Sequence, residues 1–245
     1  FIYDATKRKD PFVDVKSPGL PLDCAAFCGG DGKVLLWGGR FADRGCVERS
    51  SDGEFLNGEP IENQAVLFDA ASQKWVFLDA APGAGRVGAA TMVKDGKVFL
   101  LGGEELVRIA HNQLLVSRAS SKVTTFDLEA EKFKNGDDLP AGVAFSGAFV
   151  DERNRLHIVG GATETDGGAA FVETSHHFVV GVKESQAVPF EYRGVNVGVI
   201  PRGPDSCLIG PLRDPISGTR FFAIRKPRLD LPEVSLVAIM DADKE

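Results

Sequence analysis

The sequence predicts an all-β fold built from repeated four-stranded antiparallel units. Three observations carry this. A Gly-Gly doublet closes an apolar run three times along the chain. A small-residue segment and a polar turn stand before each doublet, and the turn is Asp-Gly twice. Beyond the first two doublets, an aromatic residue precedes an aspartate, and a second aromatic follows six residues later. Composition agrees: 28 glycines, 13 prolines and 17 phenylalanines suit short strands joined by tight turns.

The doublets are Gly38-Gly39 after Leu35-Leu36-Trp37, Gly102-Gly103 after Leu100-Leu101, and Gly160-Gly161 after Ile158-Val159. A degenerate copy, Gly210-Pro211, follows Leu208-Ile209. The first glycines of the four copies stand 64, 58 and 50 residues apart. Ahead of the doublets, Ala25-Ala26-Phe27 leads into Asp31-Gly32-Lys33 and Ala89-Ala90-Thr91 into Asp95-Gly96-Lys97. In the third unit Gly147-Ala148-Phe149 leads into Glu152-Arg153-Asn154. Asp-Gly between two apolar runs is a strong hairpin signal, because a two-residue hairpin turn needs positive φ. Each unit therefore opens on strand, tight turn, strand.

A second hairpin follows. Ala65-Val66-Leu67-Phe68-Asp69 leads to Trp75, and Val123-Thr124-Thr125-Phe126-Asp127 leads to Phe133. Phe1-Ile2-Tyr3-Asp4 leads to Phe12 with two extra residues. Pro21, Pro82 and Pro140 close three units, and Gly181 takes the aspartate position in the unit after that. Two hairpins make four antiparallel strands, which is the make-up of one propeller blade.

On these residues the chain resembles the kelch-repeat family of β-propellers, and the propeller at the centre of galactose-oxidase-like enzymes. The family's repeat ends its second strand on Gly-Gly and carries a Tyr-Asp-x-x-Thr-x-x-Trp-like stretch through the third and fourth. Tyr3-Asp4-Ala5-Thr6, Phe68-Asp69 with Trp75, and Phe126-Asp127 with Phe133 follow it. The resemblance implies a ring of six or seven blades at ~50 residues each. In that register residues 1–245 are one propeller domain with about four blades present. A partial blade spans 1–20, blades span 21–82, 83–140 and 141–194, and an incomplete blade spans 195–245. Ser235 to Asp243 reads there as a third strand, so the chain reads as a fragment that starts and ends mid-blade.

Bulk properties exclude some partners. With 28 Lys+Arg against 35 Asp+Glu the net charge is −7, which argues against binding nucleic acid by bulk charge. No apolar run approaches the ~20 residues of a spanning helix. Cys24, Cys28, Cys46 and Cys207 sit in a chain large enough to fold without disulfides, and no Asn-x-Ser/Thr sequon occurs. Both point to an intracellular, cytoplasmic protein. Cys24 and Cys28, ~13 Å apart on one strand, are too distant to bridge.

Motifs that suggest chemistry dissolve on inspection. Gly83-Ala84-Gly85-Arg86-Val87-Gly88 spells a dinucleotide-binding G-x-G-x-x-G. That motif needs a helix of about ten residues after its last glycine, and only six residues separate Gly88 from the Asp95-Gly96 turn. Gly29-Gly30-Asp31-Gly32-Lys33 lacks the spacing and the hydroxyl residue of a phosphate loop. His176 and His177 are adjacent in a strand and point to opposite faces. His157 takes the position of Leu35 and Phe99, which reads as a core histidine. No further histidine or cysteine stands at metal-site spacing. Tyr3 and Tyr192 occupy blade positions without the tyrosine–cysteine pair of a copper radical site. Neither a catalytic set, a metal nor a cofactor is expected.

Loop length is the asymmetry that bears on function. In an antiparallel blade the 1–2 and 3–4 turns share one face, and the 2–3 and 4–1 connections share the other. The 1–2 turns are short. The 2–3 connections, Arg40–Asn63, Glu104–Ser121, Ala162–Thr174 and Leu212–Arg220, are long. Loops beyond about 12–15 residues without structure of their own are functional or disordered. They carry Arg40, Arg44, Arg49, Glu104, Arg108, His111, Glu164 and Arg213, and Arg86 joins them from a 4–1 connection. Arginines grouped on one face favour an acidic or extended partner, because guanidinium forks match carboxylates. The expected function is a non-catalytic interaction module, a scaffold or adaptor that binds another protein through this face. The alternatives are an enzyme on the same framework, such as a sugar epimerase, lyase or oxidase, or a structural subunit of a larger complex.

Overall fold

The computed structural model describes residues 2–3, 12–13, 26–39, 48–49, 55–56, 63–108, 115–151, 153–165, 171–174, 176–181, 198–200, 207–213, 220–227 and 234–241. Every regular element among them is a β-strand, and every pairing is antiparallel. Strand β1 (Ile2–Tyr3) pairs with β2 (Phe12–Val13), which sets Tyr3 opposite Phe12. Next come β3 (Ala26–Gly30), β4 (Lys33–Trp37), β5 (Glu48–Arg49), β6 (Phe55–Leu56), β7 (Ala65–Asp69) and β8 (Lys74–Leu78). Four of these form the sheet β3-β4-β7-β8, while β5 and β6 form a hairpin inserted between the second and third strands. The plan repeats in β9 (Ala90–Lys94), β10 (Lys97–Leu101), β11 (Glu104–Arg108), β12 (Leu115–Ala119), β13 (Val123–Asp127) and β14 (Lys132–Asn135). A third unit has β15 (Gly147–Val150), β16 (Leu156–Val159), β17 (Ala162–Glu164), β18 (Phe171–Glu173) and β19 (His177–Val179), with β15-β16-β19 as its sheet. Last is the sheet β20 (Gly198–Ile200), β21 (Cys207–Arg213), β22 (Arg220–Pro227), β23 (Val234–Asp241).

Local chemistry sets the turns. Asp31 and Gly32 (φ 54° and 74°) and Asp95 and Gly96 (φ 50° and 70°) are both left-handed, the conformation of a two-residue type I′ hairpin. The repeat aspartates hold the other turn. Asp69 Oδ1 accepts the N–H groups of Ala71 and Ser72, and Asp127 Oδ1 those of Glu129 and Ala130. These backbone donors hold both carboxyls below their ordinary value. Gly88 leads directly into β9 rather than into a helix, so the glycine-rich stretch is a strand connection. Among the described residues there is no helix long and apolar enough to cross a membrane.

The sheets pack face on face. Leu35 and Trp37 of β4 and Ala65 and Leu67 of β7 meet Val98 and Leu100 of β10 and Phe126 of β13 in one buried cluster. Strand alternation turns Leu101 and Val123 to the other side, where they meet Ala148, Ile158 and Phe178. First strands abut in succession, β3 on β9, β9 on β15 and β15 on β20.

Three expectations need correction. The long connections are not structureless, since three of them fold into the hairpins β5–β6, β11–β12 and β17–β18. Val234–Asp241 is the fourth strand of its meander rather than a third, because Arg220–Pro227 fills the third place and takes in Arg220 from the expected loop. Trp75 and Phe133 are half-buried, because each lies on the outermost strand of its sheet. They pack edgewise on their cross-strand partners, Trp75 on Phe68 (ring centroids 4.9 Å apart) and Phe133 on Phe126 (4.7 Å). Trp75→Ala is therefore expected to cost about 1–2 kcal/mol, short of the ~3–5 kcal/mol of a fully buried aromatic. A denaturant midpoint checks this.

Candidate functional site: the hairpin face

The inserted hairpins emerge where the doublets end the second strands, and backbone bonds tie them to the connections between units. Val87 and Glu104 exchange N–H···O bonds of 2.9 and 2.7 Å, and Ala144 and Ala162 exchange bonds of 2.9 and 2.8 Å. Neighbouring hairpins are joined as well. The Glu164 carboxylate accepts the Ala119 N–H at 2.7 Å, which links β17 to β12. Thr163 Oγ1 donates to the Gly142 carbonyl at 3.0 Å. Hairpins β11–β12 and β17–β18 are thus tied to the framework and to each other.

Beside the Val87–Glu104 bridge lies Arg86, 2% exposed. It does not stand at the surface for a partner, as its type and loop position suggested. Its guanidinium donates to the carbonyls of Gly102 (2.8 Å) and Lys122 and to Thr124 Oγ1 (2.7 Å). The Trp37 ring covers the same group at 4.8 Å. Burial pulls its pKa down to about 10, partly offset by the negative fields of Glu105 and Asp138, so it stays charged at neutral pH. Trp37 Nε1 in turn donates to Asn63 Oδ1, and Asn63 Nδ2 donates to the carbonyls of Ala81 and Gly83. Arg86 therefore fixes the second unit's doublet, and the start of β11, against the first unit.

The other expected residues divide. Glu104 and Glu164 are partly buried and serve the hairpins, Glu104 through its backbone bridge and Glu164 through its carboxylate. Arg49, Arg108 and Arg213 lie in β5, β11 and β21. Arg40, Arg44 and His111 lie outside the described residues. Arg118, which sequence reasoning passed over, is exposed on β12 opposite Glu105. A count of basic residues within the connection would have found it. The doublet glycines sit at equivalent strand ends, all with positive φ: Gly38 and Gly39, Gly102 and Gly103, Gly160 and Gly161.

A second polar cluster lies in the third unit. Asp151 Oδ2 accepts from Arg155 Nε at 2.6 Å and sits 3.1 Å from His157 Nε2, and His157 Nδ1 sits 2.8 Å from His177 Nε2. The Phe149 ring stacks on His157 at 4.8 Å and 4°. His157 is 2% exposed and belongs to the packing, whereas His177 is half-buried and Arg155 is exposed. No group of histidine, cysteine or carboxylate side chains among the described residues is arranged to hold a metal ion.

No protein-family model and no curated protein matches the sequence. Among solved structures, the one titled "Structure of YjhT" is similar at 13% identity and a TM-score of 0.49, over 95% of this chain and 89% of that one.

Proposed function

We propose that the chain is a kelch-like β-propeller whose hairpin face binds a protein partner as a scaffold or adaptor. The observation that carries the reading is the set of inserted hairpins. Three successive 2–3 connections each contribute a hairpin, and the described bridges and the Glu164 bond knit β11–β12 and β17–β18 to the framework. A rigid framework that presents ordered loops on one side suits recognition. Arg108 and Arg118 belong to one hairpin, and arginine forks match carboxylates, so an acidic or extended segment is the fitting partner class. The acidic balance of the chain does not call for nucleic acid. A cytoplasmic place within a larger complex accords with the cysteine content.

The test is a pair of variants. Arg40→Ala/Arg108→Ala/Arg118→Ala is expected to keep its melting temperature and lose at least ~10-fold in affinity for an acidic peptide that the parent protein selects from a peptide library. Lys33→Ala/Lys97→Ala, on the short-turn face, is expected to bind as before. The reverse outcome places the binding surface on the other face.

A further inference from the structure

The facing imidazoles of His157 and His177 pose a problem of protons. Asp151, held ionised near 2 by bonds from Arg155 and His157 in spite of its burial, can only accept. His157 Nε2 must therefore carry the hydrogen it donates to Asp151 Oδ2. Its Nδ1 then holds a lone pair, which accepts from His177 Nε2 across 2.8 Å. The contact survives with no added proton or with one. With two, both facing nitrogens carry hydrogens at hydrogen-bond distance, and the contact cannot be made.

Among the described residues, little offsets that second charge. Among the described residues, the charged groups acting on the pair are Asp151, on the β15–β16 turn, and Arg155, at the head of β16. They already neutralise each other. Strand β15 presents only the Phe149 ring. His176 lies beside Phe178, on the opposite face of β19. Two added protons would leave the cluster with a net charge of about +2 where one carboxylate serves three cations.

The strand that His177 belongs to leads to an inserted hairpin. Hairpin β17–β18 returns through Thr174, whose N–H is bonded to Gly161 O at 2.9 Å, and through His176, whose carbonyl accepts from Gly160 N–H at 2.9 Å. From there the chain enters β19. We propose that His157 and His177 form a proton-sensitive latch that fastens β19, and through it hairpin β17–β18, at neutral pH and releases both in acid. The latch stands whatever the hairpin face binds.

Its direction follows from the environment. Burial lowers both histidines from their ordinary 6.5, His177 to about 4, with His157 adding to the lowering at His177. The unfolded chain thus takes up protons at a higher pH than the folded one. The stabilisation is complete above about pH 6.5 and is lost as pH falls toward about 4.

Hydrogen exchange followed by mass spectrometry, corrected for intrinsic rates, tests this at ~pH 7.5 and ~pH 4.5. Peptides covering residues 171–181 are expected to lose at least ~10-fold in protection on acidification, while those covering β10 and β13 hold theirs. His177→Gln keeps an N–H to offer His157 and cannot titrate, so it is expected to lose most of this acid response. Equal protection at both pH values in the parent protein, or an unchanged acid response in the variant, overturns the proposal. Should the variant fail to fold, imidazole proton shifts of the parent protein decide. His157 and His177 titrating below 6.5 in coupled steps support the latch, and independent titration of these two near 6.5 refutes it.

Discussion

Replacing Gly102 with alanine is expected to destabilise the protein by about 3 kcal/mol or more. Two costs add. Gly102 has φ 61°, a conformation that costs an L side chain roughly 1–2 kcal/mol. A Cβ there would also fall on the Val143 carbonyl oxygen, the acceptor of the Gly103 N–H at 2.8 Å. Relief of the overlap requires the second unit to move away from the connection to the third. Gly96 separates the two costs, because its φ is 70° but nothing lies within 4 Å of a Cβ built on it. Gly96→Ala should lose only about 1 kcal/mol. Chemical denaturation of both variants measures the difference. Equal midpoints would mean that the doublet is not under steric constraint.

Arg86→Leu is expected to cost about 3–5 kcal/mol. The substitution strands two buried acceptors, Gly102 O and Thr124 Oγ1, leaves the half-buried Lys122 O without its donor, and removes the cation from the Trp37 ring. Buried charges can be exchanged for hydrophobic residues at little cost when the whole polar set is replaced. Here two of the three partners are main-chain carbonyls, which no substitution removes. Arg86→Lys keeps the charge but loses the fork, and should fall between the two. Because Arg86 lies beneath the doublet, exchange at β11 should rise in Arg86→Leu even where the protein is still folded. A variant as stable as the parent, with β11 equally protected, would show that these bonds contribute nothing net.

The repeated sheets were legible because their signals are local. Asp31-Gly32 and Asp95-Gly96 specify turns by the φ they need, and Asp69 and Asp127 cap turns within three residues of themselves. The inserted hairpins were not legible. Glu104–Arg108 and Leu115–Ala119 carry no turn signal between two apolar runs, and Glu164 holds β12 from 45 residues away. Arg86 was misplaced for a similar reason. Arginine as a type belongs at the surface, and the acceptors that make its burial tolerable lie 16 to 38 residues further along. His157 was read as a core position from its match to Leu35 and Phe99, yet its link to His177 depends on a diagonal contact across β16 and β19 that only the register reveals. The last sheet was read one strand out of step, because Arg220–Pro227 lacks the doublet and the aspartate that mark its counterparts.

Hydrogen-exchange footprinting of the protein with its bound partner tests the proposed binding face most directly. The prediction is slowed exchange in peptides covering β11–β12 and β17–β18, with peptides covering the Asp31-Gly32 and Asp95-Gly96 turns unchanged. Protection confined to those turns, or to the outer strands β8 and β14, would contradict it.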